Sequence, residues 1–463
     1  MLHSMLNRRY FLRSVVAAFA APGFSAGCYA NNVKQPRLRT DRNQFLDVME
    51  GFKYRVVSKA GQKMDDGLRV PGAHDGMAAF PGKDGRVILL CNHELSAGSR
   101  DAGPYEESLA NLSNTMRSRF YDLGGGKSPG LGGTVTTIYD PAKRKTERQF
   151  LSLGGTDINC AGGPTPWGSW LSCEESFGQP GYDVSNKGLP VFHDKRHGYV
   201  FEVHASASEI VPAVPLKDMG RFEHEAAAVH EPTSIVYMTE DQWYSLLYRF
   251  LPNVPGQLHK GGRLQALAIN GKPGAMTHNW LADDVVLDQS MDTHWIDLED
   301  VDSDKNDLRE RGAAGGAAMF ARGEDLAVAD NRFLFSCTNG GPDRLGQIFE
   351  YVPSKFEGTD RESESPGQLK LMVEANHQSI AKNCDNITMA PWGDLIVCED
   401  TKSDSDRCGL VGIRPDGSQY QLASNKYTES ELAGVCFSPD GKTLFVNIQY
   451  PGMTVAITGP WPE

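Results

Sequence analysis

The sequence predicts an all-β fold, a six-bladed β-propeller carrying long loop and helical insertions. Three observations point there. First, a turn residue, a short apolar strand and a polar or acidic end recur six times, at 85–94, 168–175, 232–241, 331–340, 392–400 and 441–449. Second, further short β-like runs lie between these copies, at 135–140, 198–203, 347–352 and 410–417, with turn signals at Pro415-Asp416-Gly417 and Pro439-Asp440-Gly441. Third, the 463 residues include 49 glycines and 26 prolines, which favours many turns and short strands over long helices. The copies recur at roughly 50 to 100 residues, longer than an ordinary blade, so real insertions must separate them.

The chain opens on a targeting signal. Asn7-Arg8-Arg9-Tyr10-Phe11-Leu12-Arg13 has the form of a twin-arginine signature, and Ser14 to Ala21 is a short, weakly apolar run. That run is too short to span a membrane, and no later stretch reaches the needed length. Residues 1–30 therefore read as a signal peptide, with export through the twin-arginine machinery to the periplasm or beyond. Cys28 offers a minority alternative, a lipoprotein anchor. Residues 31–463 read as one catalytic domain, with insertions near 95–133 and 272–325. The first insertion holds a candidate helix at 106–121, followed by Gly124-Gly125-Gly126.

The stretch Asn159–Glu175, NCAGGPTPWGSWLSCEE, organises the rest. Its first half is Gly- and Pro-rich loop chemistry, and its second half alternates as a strand and stops at Glu174-Glu175. A thiol at Cys160 before a tight turn, and carboxylates after a short strand, can point into one small volume. Thiolate with carboxylate suits a transition metal beside hard cations. A buried structural cysteine and a solvated acidic strand end is the other reading.

If the six repeated strands are equivalent, Glu94, Glu175, Glu240, Asp241, Glu399 and Asp400 ring one axis, and such a gathering of like charge calls for cations. Arg221-Phe-Glu-His-Glu225 is read as a supporting strand edge, in contact with ligands at most. Arg322-Gly-Glu-Asp325 is either a salt-bridged loop or an arginine clamp beside a metal ligand. Asp300, Asp302, Asp304 and Asn306 open like a calcium loop, but Lys305 and Arg311 occupy the places of its glycine and glutamate, leaving a solvated acidic loop.

Hydrophobic content of 40% with 23% charged residues fits a globular protein with a real core. The net charge of −13 and the absence of a basic stripe exclude nucleic acid as a partner. Nine cysteines without a CxxC spacing give no zinc ribbon, and export would permit disulfides. No Gly-x-Ser-x-Gly elbow favours a serine nucleophile.

Taken together, the twin-arginine start, Asn92-His93-Glu94, the 159–175 stretch, 221–225, 237–241, Phe320–Glu324 and Phe445–Gly452 resemble the PhoX-type alkaline phosphatase family over nearly the whole chain. The resemblance implies a propeller whose channel holds iron and calcium and hydrolyses small-molecule phosphomonoesters. It implies Cys160 as the iron thiolate, Glu175, Glu240 and Glu324 as carboxylate ligands with Glu174 beside them, and Arg322 as the phosphate-contacting catalytic residue. Asn92 and Asp385 are further candidates for ligation or its support. A calcium-dependent propeller lactonase or phosphotriesterase would use the same carboxylates without Cys160, and a non-catalytic periplasmic binding propeller would use them only structurally.

Overall fold

In the computed structural model, the described residues are 36–99, 102–105, 109, 112–126, 129–184, 190–282, 284–401 and 407–462. The signal read at 1–30, with Cys28, lies outside them. The architecture is all-β and propeller-like. Antiparallel ladders follow one another along the chain, beginning with the inner strands His74–Pro81, Asn159–Pro164, His224–His230, Gly323–Ala329, Cys384–Met389 and Leu432–Phe437. Each inner strand pairs with a second strand: Val87–His93, Ser169–Glu174, Ile235–Glu240, Arg332–Cys337, Leu395–Glu399 and Leu444–Ile448. Those second strands are the six repeats read from the sequence.

The ladders are not uniform sheets. Two stand as separate four-stranded sheets and one has three strands. Two more fuse into nine strands where Ser290–Asp297 pairs with both Gly262–Ile269 and Gln368–Glu374. The ladder after Cys384 gains Leu46–Met49 and Leu38–Arg39 at its edge. The inner strands nonetheless pack in sequence and the last returns to the first, Leu432–Phe437 lying against His74–Pro81. Lys53–Lys59 completes the final ladder beside Met453–Thr458, so the two ends of the chain close the circuit.

Burial explains the sequence pattern. Second strands such as Ile235–Glu240 and Leu444–Ile448 are buried along their whole length, because neighbouring ladders cover both faces. They read as continuous apolar runs rather than alternating ones. The inner strands are lined with small residues, and their lower halves enclose a cavity of about 320 Å³ walled by Gly76, Ala161, Ala227, Leu326, Ile387 and Cys436 among others.

Three expectations are refined. Of the candidate helix at 106–121, residues 106–108, 110 and 111 lie outside the described residues, and among the described ones the helix covers six, Asn114–Arg119, started by Ser113 Oγ accepting from Met116 N at 3.2 Å. Phe120 turns extended and enters the core, which ends it. The second insertion contains the bridging strand Ser290–Asp297, and its acidic loop, with Asp300 and Asp304 exposed as expected, is also tied to the neighbouring ladder. Arg196 reaches Asp302 and Asp304 at 2.7 Å each, and Tyr199 donates to Asp302 at 2.6 Å. All eight described cysteines are free thiols, so no disulfide forms among the described residues.

Candidate metal centre

Every inner strand is interrupted just after it begins. Three residues advance on the inner strand where its partner moves two, between His74 and Met77, Asn159 and Gly162, His224 and Ala227, Gly323 and Leu326, Cys384 and Ile387, and Ala433 and Cys436. Each is a β-bulge, a device that re-aims a side chain. The bulges begin with Asp75, Cys160, Glu225, Glu324, Asp385 and Gly434. Five of these six offer a metal-binding atom. The residue entering the inner strand has positive φ in four ladders, Ala73, Ile158, Arg322 and Asn383. Such backbone at a β-branched residue like Ile158 is strained and persists only where the surroundings impose it.

These donors converge in three groupings, the atoms of each lying within 4.8 Å of one another: Cys160, Glu175 and Glu225; Glu225, Glu324 and Asp385; and Asp75, Glu94 and Glu431. Glu225 belongs to two of them. Glu94 and Glu175 come from the ends of second strands, and Glu431 from just ahead of the last inner strand. The cation countering this charge is Arg322, bonded to Asp241 through Nε at 2.8 Å and Nη2 at 2.6 Å and to Glu324 at 3.0 Å.

The electrostatics follow from that imbalance. Burial, then neighbouring carboxylates, pushes Glu175, Glu225, Asp385 and Glu431 well above the usual carboxylate range. Burial and Asp241 lift Glu324 to about 8 against the pull of Arg322, and burial lifts Asp75 to about 6. Burial and then Glu225 raise the Cys160 thiol. So many acids at one point can ionise together only around bound cations. The donor set fits metal: one grouping carries sulfur, and the other two carry only oxygen.

Side chains on the second strands hold the bulges in place. Asn92 donates to the Cys160 and Ala161 carbonyls at 3.1 and 2.8 Å, while its oxygen accepts from Thr134, Trp170 and Ser172. Thr239 donates to the Glu324 carbonyl, Ser336 to that of Asp385 at 2.6 Å, and Asn447 to that of Asp75 at 2.5 Å. In each case the donor sits one place before the end of its strand and pins the bulge of the next ladder.

Of the residues expected from sequence, Cys160, Glu175, Glu324 and Asp385 are brought together. Asn92 faces backbone and positions Cys160. Glu174 turns away: it accepts from Asp157 N, Gly198 N and Tyr199 N at 3.0, 2.9 and 3.1 Å and meets His197 Nδ1 at 2.7 Å. Glu240 also turns away, toward Tyr248 and Arg309 at 2.8 and 3.1 Å. Both end strands whose side chains alternate sides, so the carboxylate one residue later faces the channel instead. Asp241 holds Arg322. Glu399 accepts from Lys382 N at 3.2 Å, and Asp400 adds charge beside Asp385 and Glu431.

Asp75, Glu225 and Glu431 were missed. The 221–225 stretch is more than a supporting edge, since its last residue links two groupings. A signal existed: an Asp, Glu or Cys stands eight to twelve residues before the strand in five of the six repeats.

A fourth grouping lies apart, made of Asp122, His193 and His197. Both nitrogens of His197 are engaged, with Glu174 at 2.7 Å and Asp122 at 3.2 Å. Burial opposes its charge, but those two acids push it up to about 10.

Residues 33–452 match the family described as alkaline phosphatase PhoX. Among solved structures, the fold is similar to Pseudomonas fluorescens PhoX in complex with vanadate, a transition-state analogue. The two chains are 19% identical with a TM-score of 0.66, over 92% of this chain and 97% of that one. A gluconolactonase from Xanthomonas campestris aligns at 10% identity and TM-score 0.42, over 93% and 96% of the two chains. No curated protein matches. With more than four-fifths of its length matched, the chain belongs to the alkaline phosphatase PhoX family, a family of phosphatases acting on phosphomonoesters.

Proposed function

We propose that this phosphomonoesterase works at a mixed iron–calcium centre in the channel of a six-bladed propeller formed by residues 31–463. The observation that carries the reading is Glu225, shared between a grouping that contains the Cys160 thiol and one made only of carboxylates. Sulfur with oxygen suits iron, and all-oxygen groupings suit calcium. Cys160, Glu175 and Glu225 would hold the former; Glu324 and Asp385 with Glu225, and Asp75 with Glu94 and Glu431, would hold the latter. When bound, such cations supply Lewis acidity and neutralise phosphate charge.

The protein's own residues prepare the site for that charge. Arg322 is kept protonated by Glu324 and Asp241. It sits half-turned out of the strand by its positive φ, placed to hold equatorial phosphate oxygens as charge develops. The pins from Asn92, Thr239, Ser336 and Asn447 keep the donors from relaxing apart. The vanadate held by the Pseudomonas relative supports a phosphoryl-transfer reading. The twin-arginine signature supports export to the periplasm, and no helix among the described residues is long and apolar enough to cross a membrane.

Cys160→Ser tests the centre. A hydroxyl is a far poorer iron ligand than a thiolate. The variant should fold, lose iron on elemental analysis and lose nearly all activity on a model monoester. Full activity with iron retained would overturn Cys160 as the iron ligand, and full activity without iron would favour a calcium-only hydrolase.

A further inference from the structure

An aromatic cluster borders the site. Asp241, which grips Arg322, is followed after one residue by Trp243 and Tyr244, 49% and 50% exposed. Gln242 between them accepts from Arg322 N at 2.9 Å, so this loop and the Arg322 turn move as one. Opposite lie His278 and Trp280, stacked with ring centroids 4.1 Å apart. Trp280 meets Trp243 and Tyr244 at 5.8 and 5.5 Å, and the Arg344 guanidinium covers its ring at 4.7 Å. The indole Nε1 of Trp280 donates to the Asn339 carbonyl at 2.7 Å, one residue from Thr338, whose hydroxyl bonds Glu324 at 2.5 Å. Trp243 and Tyr244 are therefore tied to the Arg322 turn through Gln242, and Trp280 to the segment that holds Glu324 through Asn339.

Two independent features point to a ligand. Large aromatics left wet and contiguous at the rim of a catalytic channel are unlike the isolated apolar residues of an ordinary surface. His278 is only 5% exposed, its Nδ1 accepts from Trp280 N at 3.3 Å, and its Nε2 is buried without a hydrogen-bond partner. A buried polar atom left unpaired in a site calls for an explanation, and a bound group is one.

We propose that Trp243, Tyr244, Trp280, His278 and Arg344 form a leaving-group subsite for phosphomonoesters whose alcohol carries a planar aromatic group, either an aryl ring or a nucleobase. The inference rests on the phosphatase reading, with the phosphate at Arg322. A flat ring would lie on the exposed faces of Trp243 and Tyr244, beside Trp280, whose own ring is held between His278 and the Arg344 guanidinium. Aliphatic leaving groups, such as that of a polyol phosphate, have no face to offer it.

The test uses the metal-loaded full chain with p-nitrophenyl phosphate, adenosine 5′-monophosphate and glycerol 2-phosphate. In Trp243→Ala, the ratio of kcat/KM for each aromatic ester to that for the glycerol ester should fall roughly tenfold, through KM, as loss of one stacking face implies. Trp243→Phe, which keeps a face, should restore most of the ratio. Tyr244→Ala serves as a second variant, and unchanged Tm confirms that both fold. A fall for the nucleotide alone or for the aryl ester alone identifies which source of aromatic ring the subsite takes. Ratios that stay at the wild-type value overturn the subsite and leave the phosphatase reading standing. Failure of the wild type to hydrolyse any of the three brings down that reading and the subsite with it.

Discussion

Two regions of this protein bury carboxylates, and they are built on opposite terms. In the channel, Asp75, Glu94, Glu175, Glu225, Glu324, Asp385 and Glu431 gather near the Cys160 thiol and the Arg322 guanidinium, and burial pushes Asp75, Glu175, Glu225, Glu324, Asp385 and Glu431 toward the protonated form. Behind the second ladder, the acids are matched by the protein's own cations. Glu174 and Asp122, both buried, clasp His197, and nearer the surface the half-buried Asp302 and exposed Asp304 hold Arg196. The contrast separates function from scaffold. A buried acid matched by a cation of the protein is structure, whereas a buried cluster with many more acids than cations is suited to binding metal.

Removing metal should expose that contrast most strongly. With raised carboxylates, the folded state holds protons that the unfolded state has released, so stability of the metal-free chain falls as pH climbs from the ordinary carboxylate range toward about 8, where Glu324 titrates. Cations replace those protons, so the loaded protein should not share the slope. Thermal melts at pH 5 and pH 9, with and without chelator, measure both curves, and activity should vanish with the metal. Parallel curves would break the comparison.

Next in size is a pair of substitutions. Glu225→Gln should strip cations from both groupings that share it and abolish turnover, with metal content read by elemental analysis. Glu174→Gln should keep its metals and instead destabilise the fold by about 3–5 kcal/mol, because His197 loses a buried partner. Metal loss in Glu174→Gln would show that the two regions are not separable.

Arg322→Ala should lower kcat/KM about 10²- to 10³-fold while the metals stay bound, the magnitude of losing one charge-stabilising donor. A variant with wild-type kcat/KM removes the clamp from the account. The finest readout is the pH slope of His197→Gln, taken apart from its overall loss of stability. The His197 contribution is full below about 6.5 and is lost as pH rises through about 10, so the variant should flatten the decline in Tm over that interval. An unchanged slope would place the alkaline loss elsewhere.

Much of this was written in the order of residues. The six apolar runs declared second strands because both of their faces are covered, which leaves a continuous hydrophobic signature. Cys160 and Glu175 stood out as candidate ligands because they flank a Gly- and Pro-rich turn and a short strand, with a structural role as the other reading, and Glu324 entered through the family resemblance. What only the tertiary structure decided is which of two neighbouring acids faces the channel. Side chains alternate sides along a strand, so Glu174 and Glu175 differ by one place and point to a histidine and to the metal centre respectively. The bulges that turn Asp75 and Glu225 inward are likewise invisible in a string, because a bulge is a mismatch between two strands and exists only once they are paired.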